Sequence, residues 1–152
     1  MKAFGRRTGL LLSLTALSGC FGPSPTTLTL IVNADSELNP NKSGVASPLV
    51  LKFYELGDSD SFQAATFDQL FYTASATLKT DLLNTFTVQL VPGQKNVLLR
   101  RTLTSQTGFL GIVAGYRQIG DADWRLTRKI NMRGSNRINL MAGRLALSFA
   151  AG

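Results

Sequence analysis

Apolar residues occupy every second position in several stretches of the chain after residue 26, a pattern typical of β-strands with one face toward a core. Leu28, Leu30 and Val32 form the first such stretch. A second begins at Leu49 and ends near Leu56. In all, the pattern predicts eight strands, at residues 28–33, 49–56, 86–91, 96–103, 109–118, 124–131, 136–141 and 144–149.

Turn residues between the later strands indicate hairpins. Pro92 and Gly93 stand where a type II turn prefers them, and Gly120 and Gly134 lie in two further connections. Short strands at this spacing predict an all-β fold, an antiparallel two-sheet β-sandwich. We expect Trp124 to pack inward and to anchor one sheet to the other.

An insertion near residues 60–83 interrupts the strands and is expected to be helical. Asp60–Gln63 and Thr66–Gln69 both have the spacing of a capping box. Phe67 and Phe71 then fall on one face of a helix. We expect one or two short helices that lay an aromatic stripe on the sandwich as part of its core; the alternative is that the stripe lines a ligand pocket.

A stretch without periodicity, residues 34–48, separates the first two strands. Loops of this length in compact domains are usually functional or disordered. Asn39-Pro40-Asn41 and Ser43-Gly44 are turn-forming sequences. We therefore expect an ordered, projecting loop, with an inert solvated loop as the alternative.

The N-terminus has the pattern of an export signal. Lys2, Arg6 and Arg7 precede a short apolar run that ends in Leu17-Ser18-Gly19-Cys20. The run is too short to span a bilayer, which takes roughly 20 apolar residues. A cysteine after Leu-Ser-Gly is the lipobox of bacterial lipoproteins; an ordinary secretory signal is the alternative.

The lipobox interpretation divides the chain into three parts. Residues 1–19 are predicted to be a lipoprotein signal peptide, 20–26 an acylated cysteine with its tether, and 27–152 the sandwich domain. Two or three acyl chains on Cys20, palmitate among them, would form a stable membrane anchor. Phe21 follows the cysteine where Asp commonly retains lipoproteins at the inner membrane, so the outer membrane is predicted.

Composition removes several classes of function. The chain has no histidine and one cysteine, so histidine-dependent catalysis, histidine metal sites and disulfides are excluded. The pairs Asp58/Asp60 and Asp121/Asp123 lie in turn-like contexts where Asp caps the backbone. We therefore expect no enzyme, no metal and no cofactor.

Charge adds little to this picture. Sixteen basic and nine acidic residues give a net charge of +7, which falls to +4 without residues 1–19. The basic residues lie in strand-like segments, which favours a solvated sheet face over nucleic-acid binding.

The order of motifs along the chain carries a resemblance to a known family. In sequence they are the lipobox, Leu38-Asn39-Pro40-Asn41, Ser47–Leu56, the aromatic helix at Phe62–Tyr72, Leu110–Arg117 and Asp123-Trp124-Arg125. This order resembles the outer-membrane lipoprotein of bacterial type VI secretion systems, the TssJ family, over nearly the whole chain after the signal.

The resemblance implies a transthyretin-like sandwich and a structural role. Members hold the periplasmic C-terminal domain of TssM, a large inner-membrane protein, to the outer membrane, largely through the loop after the first strand. A periplasmic lipoprotein that binds a small ligand or inhibits an enzyme is the alternative. The partner-binding residues expected here are Asp35, Glu37, Leu38, Asn39, Pro40, Asn41, Lys42, Gly44 and Val45.

The lipobox yields the first testable prediction. Cys20→Ser removes the thiol that accepts the diacylglycerol, so the variant should carry no palmitate and remain an unprocessed or soluble precursor. Metabolic palmitate labelling with membrane fractionation measures this. A serine variant that is still cleaved and stays in the outer membrane would contradict the lipobox.

Overall fold

The computed structural model describes residues 19–20 and 22–151 of the chain. The predicted signal peptide, apart from Gly19, lies outside the described residues. No helix within them is long and apolar enough to cross a bilayer. The described elements, in order, are β1 (Thr27–Ala34), β2 (Leu49–Leu56), α1 (Asp60–Ala64), α2 (Phe67–Leu78), β3 (Leu82–Leu90), β4 (Val97–Thr102), β5 (Phe109–Ala114), β6 (Arg125–Lys129), β7 (Ser135–Ala142) and β8 (Leu147–Phe149).

The predicted all-β sandwich of eight strands is confirmed, with differences at the strand ends. The two largest are in β3, which was expected to begin at residue 86 and begins at Leu82, and in β5, which was expected to continue to residue 118 and ends at Ala114. There the amide of Tyr116 donates to the carbonyl of Ala114 at 3.0 Å, a tight turn that takes the chain out of the sheet. The helical insertion ends at a 3₁₀ turn, Lys79–Asp81, just before β3.

The strands form two four-stranded sheets, ordered β4-β1-β7-β8 and β3-β2-β5-β6. Every strand pair is antiparallel except β1 with β7, which is parallel. The expectation of wholly antiparallel sheets is therefore wrong at this pair. Parallel neighbours need a long crossover, and here the chain passes through the second sheet before β7 returns beside β1.

The main core lies between the sheets. Leu30 and Val32 of β1 are fully buried, as are Leu51 and Phe53 of β2. The ring of Phe53 stacks on Phe86 of β3 at 4.7 Å between centroids. Alternation along the strands therefore places large apolar side chains inside, where burial contributes about 25 cal/mol per Å² of apolar surface.

Arginines close both edges of the sandwich. The guanidinium of Arg101 in β4 lies 4.4 Å from the ring centre of Phe86 in β3, across one edge. At the other edge, Arg128 of β6 lies 5.1 Å from the ring centre of Phe149 in β8. Each contact joins one sheet to the other, and a charge at an edge strand also discourages pairing with further chains.

The helices cover the outer face of the second sheet. Thr66 and Gln69 form the predicted capping box at the start of α2. Phe62 of α1 is fully buried on Gly111 of β5, where a Cβ would stand 2.6 Å from the Phe62 ring. Phe67 and Phe71 of the aromatic stripe are half-buried and pack against this second apolar cluster, which includes Phe62.

Trp124 makes a contact that was not predicted. Its indole is half-buried and meets the ring of Phe67 in α2 edge-on, at 5.3 Å between centroids. It lies before β6, where the chain passes beside the helical layer. Trp124 therefore joins the helices to the sandwich, and it also packs against the main core between the sheets.

Candidate functional site

The loop between β1 and β2, residues 35–48, has a root that is part of the core. Leu38 is fully buried in the main apolar cluster, and Asn39 and Pro40 are buried beside it. The amide of Ser47 donates to the carbonyl of Leu38 at 2.9 Å, which draws the two arms of the loop together. The loop is therefore ordered, as the turn sequences indicated.

Asn39 holds this root to the neighbouring connections. Its Nδ2 donates to the carbonyl of Pro48 at 2.7 Å, and its Oδ1 accepts from the amide of Arg117 at 2.7 Å. Its own amide donates to the carbonyl of Arg144 at 3.0 Å. Asn39 has φ 48°, a left-handed conformation that asparagine tolerates better than most residues. Asn39 thus bonds to three segments of the chain, to two through its side chain and to the third through its backbone amide.

Asp35 has a similar structural role at the start of the loop. Its Oδ1 accepts from the amide of Glu37 at 2.7 Å. Its amide donates to the carbonyl of Ala142 and its carbonyl accepts from the amide of Gly93, both at 2.9 Å. The carboxylate thus caps a local turn, and the residue is half-buried.

The tip of the loop is a tight turn built around Asn41. Its Oδ1 accepts from the amides of Ser43 and Val45 at 2.9 and 3.0 Å. Gly44 has φ 80°, which favours glycine at that position. The turn leaves Lys42 exposed and the side chain of Val45 60% exposed.

The nine predicted partner-binding residues therefore divide by accessibility. Leu38, Asn39 and Pro40 are buried, and Asp35 and Asn41 are half-buried. The side chains open to a partner are those of Glu37, Lys42 and Val45, with the backbone of Gly44.

The β3–β4, β5–β6 and β7–β8 connections meet the loop at the same end of the sandwich, and no role was predicted for them. The bond from Asn39 to Arg144 already joins the loop to the β7–β8 connection. Gln118 Nε2 donates to the carbonyls of Pro40 and Asn41 at 3.0 and 3.2 Å. Lys95 Nζ donates to the carbonyl of Ala34 at 3.1 Å. Because successive strands run in opposite directions, every second connection lies at the same end of the sandwich. The order of the strands could therefore have predicted that these connections meet.

Tyr116 stiffens the same end. Its hydroxyl donates to the carbonyl of Gly143 at 3.0 Å. Burial, with a smaller contribution from the charge of Asp123, raises the pKa of Tyr116 above its ordinary value. The hydroxyl therefore stays protonated and keeps donating at all physiological pH values.

Cys20, the predicted site of acylation, and the loop lie on opposite sides of β1. The exposed Cys20 lies on the Thr27 side of the strand, whereas the loop follows Ala34. Eight residues of strand span about 25 Å at 3.2–3.4 Å per residue. A lipid on Cys20 and a partner on the loop tip would thus contact opposite ends of one rigid layer.

The carboxylates of the described residues do not form a metal site, and one of them has a structural role. No group of three or more potential ligands that could hold a metal occurs among them. The buried carboxylate of Glu55 accepts from Asn84, from the amide of Thr104 and from the hydroxyl of Thr107, at 2.8–3.2 Å. These bonds use Glu55 to fasten the β4–β5 connection to the sheet.

Comparison with known proteins identifies the family. The family model T6SS-SciN, described as "Type VI secretion lipoprotein, VasD, EvfM, TssJ, VC_A0113", matches residues 26–145. The chain belongs to this family. TssJ1 of Pseudomonas aeruginosa, a type VI secretion lipoprotein of known structure, is 33% identical, with a TM-score of 0.80 over 84% of this chain and 97% of that one.

Two more distant structures share the fold. Serratia marcescens Lip, a membrane-bound component of the type VI secretion system, is 20% identical with a TM-score of 0.79, covering 84% of this chain and 98% of its own. A chain in a structure of the TssM C-terminal domain from EAEC is 23% identical with a TM-score of 0.65, covering 84% and 99%. A search of curated proteins finds no match.

Membership of the TssJ family makes this chain a membrane lipoprotein of a type VI secretion system. Its role is structural, so the expectation that it is not an enzyme is confirmed.

The root of the loop yields a stability prediction. Asn39→Ala should lower the free energy of unfolding by about 2–4 kcal/mol, because two hydrogen bonds are lost at about 0.5–1.5 kcal/mol each and alanine is disfavoured by about 1 kcal/mol at positive φ. Denaturant unfolding measures it. The exposed Ser43→Ala is the control, expected within about 0.5 kcal/mol of the parent; equal stability of both variants would contradict the role of Asn39.

Proposed function

We propose that this TssJ-family lipoprotein is anchored in the outer membrane through acyl chains on Cys20. From there it holds the periplasmic C-terminal domain of a TssM-like inner-membrane protein through the tip of the β1–β2 loop. The domain then acts as a rigid spacer between the membrane and its partner.

The position of the loop opposite the anchor carries this proposal. β1 connects the two directly and is paired along its length with β7 on one side and over six residues with β4 on the other. A partner that approaches from the inner membrane would therefore meet the loop end first. A chain of this fold also occurs in a structure of the TssM C-terminal domain, which agrees with such a partner.

The chemistry of the tip suits a protein contact. Val45 offers exposed apolar surface and Lys42 a charge beside it, on a turn already ordered by Asn41. A preformed turn loses little conformational entropy when it binds. The buried Leu38, Asn39 and Pro40 would then support the contact from below.

The alternative function, binding of a small ligand, would require a pocket, and the groove between α2 and β2 is the candidate. Its volume is about 420 Å³. Two polar groups on its floor are already bonded to the helix: Tyr54 Oη donates to the carbonyl of Leu70 at 2.7 Å, and Lys52 Nζ to that of Phe71 at 2.6 Å. These bonds hold the helix where it kinks at Thr73, which gives both side chains a structural role.

Replacement of the exposed side chains at the tip tests the proposal. Lys42→Ser with Val45→Ser should weaken binding to the partner's periplasmic domain at least about tenfold, since the few residues that dominate an interface each cost more than about 1 kcal/mol when truncated. The melting temperature should stay close to that of the parent because both side chains are exposed. Calorimetry measures the affinity and thermal unfolding the stability.

The matched control removes one cation and one apolar side chain elsewhere. Arg137→Ser with Leu98→Ser changes two exposed positions on the outer face of the first sheet. This pair should bind the partner as the parent does. Undiminished binding by the tip variant would move the interface away from the loop.

A further inference from the structure

The β6–β7 turn, residues 130–134, projects beside the point where the tether enters the fold. The amide of Thr27 donates to the carbonyl of Gly134 at 3.0 Å, and the amide of Arg133 donates to Thr26 Oγ1 at 2.9 Å. The turn and the tether therefore leave the domain side by side, at the end opposite the β1–β2 loop.

This turn presents an apolar side chain between two cations. Met132 is 52% exposed, and Lys129 and Arg133 on either side are exposed as well. Arg133 has φ 59°, a conformation in which a non-glycine residue other than Asn or Asp is uncommon. The backbone thus keeps a long cationic side chain at a position where glycine would be less strained.

The turn is held rigidly rather than left free. The amide of Ile130 donates to the carbonyl of Gly108 at 2.8 Å, and Ile130 is buried. Asn136 Oδ1 accepts from the amide of Asn131 at 2.7 Å, and its Nδ2 donates to the carbonyl of Asn131 at 3.0 Å. The exposure of Met132 is therefore a consequence of a fixed backbone.

Negative charge is distributed unevenly between the two sheets. The chain has no Asp or Glu at residues 82–120 or 124–152, so the whole first sheet and β6 carry no carboxylate. Arg100 and Arg137 face outward on that sheet, on either side of Thr29. The carboxylates that follow β2 at this end, Asp58 and Asp60, belong to the layer that carries the helices.

We infer that the β6–β7 turn docks on the surface of the anionic phospholipid bilayer in which the chain is anchored, with Met132 in the interface and Lys129 and Arg133 against phosphate groups. The inference rests on the acyl anchor proposed above. The seven residues 20–26 include two prolines and reach only about 20 Å at 3.1 Å per residue, so this end of the domain stays near the lipid.

Such docking sets the orientation of the domain. A turn that carries an apolar side chain flanked by cations binds through buried apolar area and attraction to anionic headgroups. With the turn on the bilayer, β1 stands away from the membrane and the β1–β2 loop points into the periplasm. The tether alone would leave the domain free to tumble.

The test uses the full acylated lipoprotein in phosphatidylcholine vesicles with or without phosphatidylglycerol. Met132→Cys provides a thiol for an environment-sensitive fluorophore, and Val45→Cys, an exposed apolar position at the other end, is the matched control. A quencher carried on the lipid should quench the label at position 132 severalfold more than the label at position 45. Phosphatidylglycerol should increase that difference.

The cations are tested in the labelled Met132→Cys protein. Lys129→Gln with Arg133→Gln should lower the ratio of docked to undocked protein about 25-fold in phosphatidylglycerol vesicles, about fivefold for each cation. Equal quenching at the two labelled positions would overturn the inference. Quenching that changes neither with phosphatidylglycerol nor with these substitutions would overturn it as well.

Two other outcomes are distinguishable. Protein that does not co-sediment with the vesicles would overturn the acyl anchor and this inference with it, before any fluorescence is read. Shielding of the label at position 132 by the partner's periplasmic domain, without lipid, would make the turn a protein interface and overturn only the docking.

Discussion

The pairing of β1 on both sides constrains everything else in this molecule. β4 is bonded to it antiparallel and β7 parallel, so the strand cannot shift without disrupting the first sheet. Because the tether enters at Thr27 and the loop leaves at Ala34, this pairing also sets the separation between the proposed anchor and the proposed partner site. The loop root continues the same frame, since Leu38 enters the core and Asn39 ties the loop to two neighbouring connections. A mechanical link needs this kind of stiffness, which a flexible loop on a flexible tether would not supply.

The two sheets differ in what covers them. Helices α1 and α2 bury the outer face of the second sheet, where Phe62 lies on Gly111 and Tyr54 bonds to α2. The outer face of the first sheet carries arginines and threonines and no carboxylate. The helical layer thus adds a second apolar cluster to a small domain that has no disulfide, while the bare sheet remains available to solvent and to anionic surfaces.

Local sequence was sufficient for the features that depend on local physics. Alternation located all eight strands, and the capping box at Thr66 located the start of α2. The parallel pairing of β1 with β7 was missed because alternation shows which residues face a core and not which strand lies alongside. The contact of Trp124 with Phe67 was missed for the same reason, since the two residues are distant in sequence. Leu38 and Asn39 were assigned to the exposed part of the loop because a stretch without periodicity hides single buried anchors; the apolar Leu38 was the available signal.

Hydrogen–deuterium exchange of the acylated lipoprotein in vesicles, with and without the partner's periplasmic domain, tests most directly whether the anchor and the partner occupy opposite ends of β1. Our account predicts that the partner slows exchange at residues 41–46 and leaves residues 130–134 unchanged. Protection of residues 130–134 or of β3 by the partner, with residues 41–46 unaffected, would contradict it.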